Sequence, residues 1–193
     1  MKVLVSPEDF SQDQHILKPL IAAMLKAVGR PHATIRIHNP KRGGIGEALK
    51  TANITEILED YKGMVDLFLL CVDRDAEEHR RQQLDNVEAH AQTLLPPQRI
   101  LFAEHAWQEI EVWALAGLDL PNEWVWKDIR AERDPKEIYF DRLAQQRGVD
   151  DEPGGGRQTL GEEAARRYNR IRQLCPEDVA ALEDRIRAWI GAS

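Results

Sequence analysis

The chain has 193 residues, 42% of them hydrophobic and 31% charged, with a formal net charge of -7. These values are typical of a globular protein and exclude a disordered chain. The acidic charge disfavours nucleic-acid binding unless a local basic patch or metal ions intervene. No apolar run is long enough to span a bilayer, and the N-terminus does not resemble a signal peptide. We therefore expect a cytoplasmic protein that does not act in the membrane.

Strands and helices alternate along the first part of the chain. The predicted strands are 2–6, 32–38, 65–73 and 98–104, and the helices that follow them are 13–29, 46–63, 76–95 and 105–117. This alternation predicts an α/β fold with a small, mainly parallel four-stranded sheet flanked by helices. From residue 118 the pattern is helical, apart from a loop at 149–157. We predict a domain at 1–117 and a helical C-terminal extension at 118–193 that packs on it.

Acidic residues follow three of the four predicted strands. They are Glu8 and Asp9 after the first, Asp73 and Asp75 after the third, and Glu104, Glu109 and Glu111 after the fourth. Because the carboxyl ends of parallel strands meet at one edge of a sheet, these groups should converge there. Clustered carboxylates supply the hard oxygen ligands that Mg²⁺ or Mn²⁺ prefers. A metal held in this way activates water and stabilises charge on a phosphate. The sequence therefore predicts a divalent-metal site at this edge.

Each acidic group also has a structural interpretation. Asp75 could cap the helix predicted at 76–95, and Glu8 could lie in a solvated turn. We expect Glu109 at the surface. Glu111 lies on an apolar helical stripe, where a buried carboxylate requires a partner. That partner could be a metal ion or an arginine.

Three segments resemble the TOPRIM domain of topoisomerases, bacterial primases and OLD-type nucleases. An apolar strand leads to an acidic loop in "VLVSPEDF", and a D-x-D ends a later strand in "CVDRD". The segment "QEIEVWALAG" is similar to the I-E-x-W-x-L segment of bacterial TOPRIM-like proteins found with defence or mobile elements. The resemblance covers about residues 1–117. It implies a Mg²⁺-dependent site that cleaves or joins phosphodiester bonds of nucleic acid, and a defence-system protein as a candidate partner.

Position by position, the resemblance assigns metal binding and catalysis to four acidic residues. Asp73 and Asp75 match the D-x-D, and Glu111 matches the glutamate of I-E-x-W. The TOPRIM glutamate normally comes directly after the first strand, where this chain has Ser6. Glu8 follows two residues later, and we assign it the acid/base role and a place among the metal ligands.

Two basic residues, Lys41 and Arg42 in "NPKRGG", follow the second predicted strand and are candidate phosphate ligands. The sequence contains no Walker loop, and its six histidines and two cysteines lack the spacing of a zinc site. Two alternatives to a nuclease remain open. The chain could be a TOPRIM-fold binding or regulatory module without catalysis. It could also be a receiver-like phosphoacceptor, with Glu8 and Asp9 as a loose match to the acidic pair of such domains.

Overall fold

The computed structural model describes residues 1–39 and 44–192. Its strands are β1 (Lys2–Pro7), β2 (Thr34–Ile37), β3 (Leu67–Asp73) and β4 (Ile100–Ala106). They form a sheet in the order β2-β1-β3-β4, and every neighbouring pair of strands is parallel. The predicted α/β fold with a four-stranded parallel sheet is confirmed.

Helices connect the strands. They are α1 (Phe10–Ala27), α2 (Ile45–Ala48), α3 (Thr51–Tyr61), α4 (Arg80–Leu94) and, after the last strand, α5 (Glu111–Gly117). Both α4 and α5 begin later than predicted, because the chain first forms turns at the ends of β3 and β4. In these turns Asp75, Ala76 and Gln108 have positive φ angles of 53°, 56° and 76°. An α-helix does not accommodate such left-handed residues, so it can begin only after them.

The rest of the described chain is helical, as predicted. It forms α6 (Trp126–Ala131), α7 (Asp141–Arg147), α8 (Arg157–Ala165), α9 (Tyr168–Leu174) and α10 (Ala181–Ala192), with π-helical turns at Lys136–Phe140 before α7 and Pro176–Ala180 before α10. None of the helices formed by the described residues combines the length and the apolar character needed to cross a bilayer.

Apolar side chains cover both faces of the sheet. Strand β3 alternates between the faces and is buried on each of them, which explains its nearly continuous apolar sequence. One face packs against α3 and α4. The other packs against α1 and α5 and shares its core with residues of the C-terminal helices, among them Phe140, Leu160 and Ile186. The helical extension is therefore packed on the sheet region through a common apolar core.

Both cysteines are buried thiols inside this structure. Cys71 lies on β3 and Cys175 lies between α9 and the second π-helical turn, and neither is in a disulfide. Burial raises the thiol pKa of both residues well above its usual value. Low solvent access and a high pKa make both thiols unreactive in the folded chain.

Polar side chains cover the outer edge of β4. The backbone N–H of Ala103 donates to Oε1 of Glu88 at 2.8 Å, and the carbonyl of Ala103 accepts from Arg81 at 2.9 Å. The buried carboxylate of Glu104 accepts from Arg81 at 3.1 Å and lies 3.5 Å from Arg185. These contacts satisfy backbone groups that an edge strand would otherwise expose. Glu104 is therefore part of the cover of this edge.

The contact between α1 and α8 depends on Gly161. A Cβ atom at this position would lie 2.7 Å from the carbonyl oxygen of His15, which is closer than side chains approach in proteins. We expect Gly161→Ala to lower the free energy of unfolding by about 1–3 kcal/mol, measured by urea denaturation. Gly191, in the exposed last turn of α10, has nothing within 4 Å of such a Cβ atom. Gly191→Ala is the matched control and should be neutral or stabilising by up to about 1 kcal/mol. Equal stability of the two variants would contradict this prediction.

Candidate functional site

The loops that follow β1, β3 and β4 lie side by side at the carboxyl edge of the sheet. This follows from the parallel pairing of β3 with both β1 and β4. Two of the loops are joined directly, because the backbone N–H groups of Arg74 and Asp75 donate to the carbonyl of Gln108 at 2.8 and 3.2 Å. The N–H of Ala76 also donates to the side chain of Gln108. The edge thus forms one connected corner, which contains the predicted acidic residues Glu8, Asp73, Asp75 and Glu111.

Asp73 ends β3 and lies half-buried at the centre of this corner. Its Oδ1 accepts a hydrogen bond from the backbone N–H of Ile110 at 2.8 Å. Burial raises the pKa of Asp73 well above its usual value, and repulsion from Glu111, Asp13 and Glu8 raises it further. Asp73 is therefore a carboxylate whose surroundings disfavour its negative charge.

Glu8 follows β1 and lies beside the loop after β3. Burial and then repulsion from Asp75 raise its pKa, while backbone hydrogen bonds and the charge of Arg80 lower it. The Oε2 atom of Glu8 is buried and has no hydrogen-bond partner among the residues that the structure describes. A buried carboxylate oxygen without a partner is costly, so a proton or a cation at this atom would stabilise the site.

Asp13 joins this group, although sequence analysis did not select it. It lies in the first turn of α1, is only 6% exposed, and accepts a hydrogen bond from the N–H of Asp9 at 2.9 Å. Burial is the largest cause that raises the pKa of Asp13 to about 7, and repulsion from Glu111, Asp9 and Glu8 adds to it. The hydrogen bond from the N–H of Asp9 lowers the pKa of Asp13, but it offsets the rise only in part. The sequence feature that could have identified Asp13 is its position on the apolar face of α1, one turn after the N-cap.

Asp9 has a structural role at the start of α1. Its side chain accepts a hydrogen bond from the backbone N–H of Ser11 at 2.8 Å, and it is the N-cap of the helix. Asp75 does not have the corresponding role at α4, because the residue before that helix is His79. Instead Asp75 is exposed, and its Oδ2 lies 3.5 Å from Nη2 of the buried Arg80.

Glu111 is the first residue of α5 and is bound by a buried arginine. Nε of Arg157 donates to Oε1 of Glu111 at 2.8 Å, and Nη2 contacts the same oxygen. Both side chains are more than nine-tenths buried. Of the two partners that the sequence left open for Glu111, the structure contains the arginine. Both of these hydrogen bonds go to Oε1, so Oε2 remains the oxygen through which Glu111 could contact a ligand.

Two other predicted acids, Glu104 and Glu109, have hydrogen-bond partners of their own. Glu104, on the covered edge of β4, is bound by Arg81, and so it does not join the corner. Glu109 was expected at the surface, but it is half-buried and accepts a hydrogen bond from the N–H of Lys136 at 2.8 Å. Burial is the main reason that its pKa rises to about 7. The candidate phosphate ligands Lys41 and Arg42 lie outside the described residues.

A cavity of about 470 Å³ lies next to Glu8. It is lined by Ser6, Glu8, His38, Asn53 and Tyr61, among others, and lies between the ends of β1 and β2 and helix α3. Its volume is within the range of small-molecule binding sites. The acidic corner therefore borders a space that could hold part of a substrate.

No group of three or more His, Cys, Asp or Glu side chains within residues 1–39 and 44–192 is placed so that it could hold a metal ion. The predicted ligands Glu8, Asp73, Asp75 and Glu111 share one edge of the sheet, but they do not form a closed cage there. Their role in metal binding therefore stays a prediction.

Comparisons with known proteins do not assign the chain to a family. No protein-family model matches it, and no curated protein and no solved structure shows significant similarity to it. The TOPRIM resemblance thus depends on the three sequence segments described above, and the function is inferred from the residues of this chain.

Proposed function

We propose that the chain is a TOPRIM-like enzyme that uses Mg²⁺ or Mn²⁺ to cleave or transfer phosphodiester bonds of nucleic acid. The observation that carries this proposal is the group of Glu8, Asp13 and Asp73 at the carboxyl edge of the sheet. Burial, and after it repulsion from neighbouring carboxylates, raises the pKa of all three carboxyls. Burying negative charges close together is unfavourable in free energy, and such groups of carboxylates are typical of sites that bind a cation or move a proton.

The donor atoms in this corner are carboxylate oxygens, the type of ligand that a hard divalent cation prefers. Mg²⁺ commonly takes only one or two protein carboxylates and completes its coordination with waters and substrate phosphates, so a closed cage is not required. Oε2 of Glu8, which is buried and has no hydrogen-bond partner among the described residues, supports this choice of ligand. Asp73 and Glu8 are the first candidate ligands, and Asp13, Asp75 and Oε2 of Glu111 are the others. When bound, the metal would supply charge stabilisation at the phosphate and lower the pKa of a water.

Glu8, Arg157 and the cavity also have roles that need no metal. Glu8 is the candidate general base, because burial and repulsion from Asp75 raise its pKa and make its carboxylate a stronger base than an ordinary glutamate. As an alternative to binding the metal through Oε2, Glu8 would use this oxygen to accept a proton from the attacking water. Arg157 fixes the orientation of Glu111 through two hydrogen bonds, and the cavity beside Glu8 offers room for a nucleoside of the substrate.

The test is cleavage of single-stranded DNA, plasmid DNA and RNA with Mg²⁺ or Mn²⁺, compared with the same reactions in EDTA. We expect cleavage that requires the metal and falls on the order of a hundredfold or more in Asp73→Asn. Asp85→Asn, which removes an exposed carboxylate on α4, is the control and should keep its activity. Thermal unfolding establishes that both variants are folded. Equal activity of the parent and Asp73→Asn would remove the assignment.

A second candidate is a binding or regulatory module that has the same fold and lacks catalysis, for example as the partner of a defence-system protein. The observation that favours it is the ion pair between Glu111 and Arg157, which occupies an oxygen that a metal would otherwise use. Calorimetry with Mn²⁺ distinguishes the two candidates. Binding that is lost in Asp73→Asn supports the enzyme, and no binding at millimolar metal supports the module.

A further inference from the structure

Arg74 lies between the two aspartates of the D-x-D and has an unusual environment. Its guanidinium carbon is 4.0 Å from the centroid of the Trp107 ring. This distance is typical of a cation–π contact, in which the planar guanidinium lies over the aromatic face. The two residues belong to the loops after β3 and β4, so the contact lies at the acidic corner of the sheet.

Backbone hydrogen bonds hold both partners of this contact in place. The N–H of Arg74 donates to the carbonyl of Gln108 at 2.8 Å. The N–H of Trp107 donates to Oδ2 of the buried Asp178 at 3.0 Å. Since both loops are fixed, the guanidinium is positioned before any ligand binds, which reduces the entropy lost on binding.

Arg74 keeps its hydrogen-bond donors available. Its side chain forms no ion pair and no hydrogen bond with any residue that the structure describes. Arg130, whose guanidinium lies 5.4 Å from the centroid of the same ring, provides the contrast. It is neutralised by Glu177 at 2.8 Å and Asp178 at 3.1 Å. Of the two arginines at Trp107, Arg74 is the one whose charge is not neutralised by a carboxylate of the described residues.

We propose that Arg74, held against Trp107, binds a backbone phosphate of a nucleic acid strand at the acidic corner. This inference rests on the proposed function, and it names a residue that would bring the substrate to the carboxylates. A guanidinium presents N–H groups in one plane, and that geometry matches phosphate oxygens. The carboxylates nearby repel a polyanion, so a fixed positive charge among them is needed along with any metal.

The test measures binding without relying on cleavage. The probe is a fluorescein-labelled oligothymidylate of about 12 nucleotides, and its anisotropy is followed in Ca²⁺ at several salt concentrations. We expect Arg74→Gln to weaken binding by about tenfold and to reduce the slope of log K against log salt by about one. Arg30→Gln is the matched control, because Arg30 is exposed after α1 at the opposite edge of the sheet. It should change the affinity by less than about twofold.

Two Trp107 variants test the positioning role of the ring. Trp107→Phe retains an aromatic face and should retain most of the affinity, whereas Trp107→Leu should weaken binding about as much as Arg74→Gln. Thymidine 5′-monophosphate should compete poorly with the oligonucleotide. Equal competition at the same phosphate concentration would assign the site to a free nucleotide and overturn the assignment to a strand.

The outcome for Arg74 is separable from the outcome for the enzyme. If the parent does not bind the probe, or Arg74→Gln binds it with unchanged affinity and salt slope, the inference about Arg74 is wrong, whatever the cleavage assay gives. If Arg74→Gln weakens binding while no metal-dependent cleavage is found, the phosphate site stands and the proposed catalytic function fails.

Discussion

Replacing Arg157 with methionine is expected to lower the free energy of unfolding by about 3–5 kcal/mol, because it leaves the buried carboxylate of Glu111 without its partner. Arg157 and Glu111 are 3% and 5% exposed, and methionine keeps much of the volume of the arginine stem. The unpaired Glu111 would also lie near Asp13 and Asp73, whose charges oppose its own. Urea denaturation at neutral pH measures the change.

Two further variants make this result specific. Arg167→Met removes an arginine whose partner Asp119 is 69% exposed, and because solvent screens this pair it should cost far less stability than Arg157→Met. Glu111→Gln in the Arg157→Met background removes the uncompensated charge and should restore part of the lost stability. A cost for Arg157→Met as small as that for Arg167→Met would show that the buried pair is not a main element of the fold.

Replacing Asp13 with asparagine is expected to stabilise the protein above neutral pH. The pKa of Asp13 is about 7 in the fold, against an ordinary value of 3.8, so the folded state favours the protonated form. The negative charge of Asp13 therefore destabilises the folded state. This effect is absent below about pH 4 and complete above about pH 7. Asparagine cannot acquire this charge, and its carbonyl can still accept the hydrogen bond from Asp9. At pH 8 the free energy of unfolding of Asp13→Asn should exceed that of the parent by at most roughly 4 kcal/mol.

The measurement is the difference in unfolding free energy between Asp13→Asn and the parent at pH 5 and at pH 8. This difference should increase with pH, whereas Asp85→Asn, an exposed control on α4, should stay within about 0.5 kcal/mol of the parent at both values. If the acidic corner binds a cation, Mn²⁺ at pH 8 should stabilise the parent more than Asp13→Asn. A variant that is less stable than the parent at pH 8 would contradict the assigned environment of Asp13.

The sequence predicted the order of the elements better than their ends. Strand β3 was found at nearly its observed position, because a strand buried on both faces has an uninterrupted apolar pattern. The starts of α4 and α5 were placed too early. Asp75, Ala76 and Gln108 are not glycines, so their left-handed conformations have no sequence signal. The backbone bonds between the two loops stabilise these conformations, and such bonds depend on the tertiary fold.

The acidic corner was predicted as a place but not as a complete set of residues. The parallel sheet accounts for the convergence of Glu8, Asp73 and Glu111 at one edge. Asp13 was missed because an acidic residue in the first turn of a helix is common for reasons of the helix dipole alone. Arg157 could not be assigned to Glu111, since a pair of residues 46 positions apart has no local pattern.

The two buried thiols provide an internal way to compare the sheet with the helical region. Cys71 lies in the sheet and Cys175 in the C-terminal helices, and reagents that require a thiolate reach either one only after local or global opening. The rates at which the two sulfur atoms are alkylated therefore report on two halves of one molecule without any added probe. Matching rates would describe a single cooperative unit, and different rates would describe an extension that opens on its own.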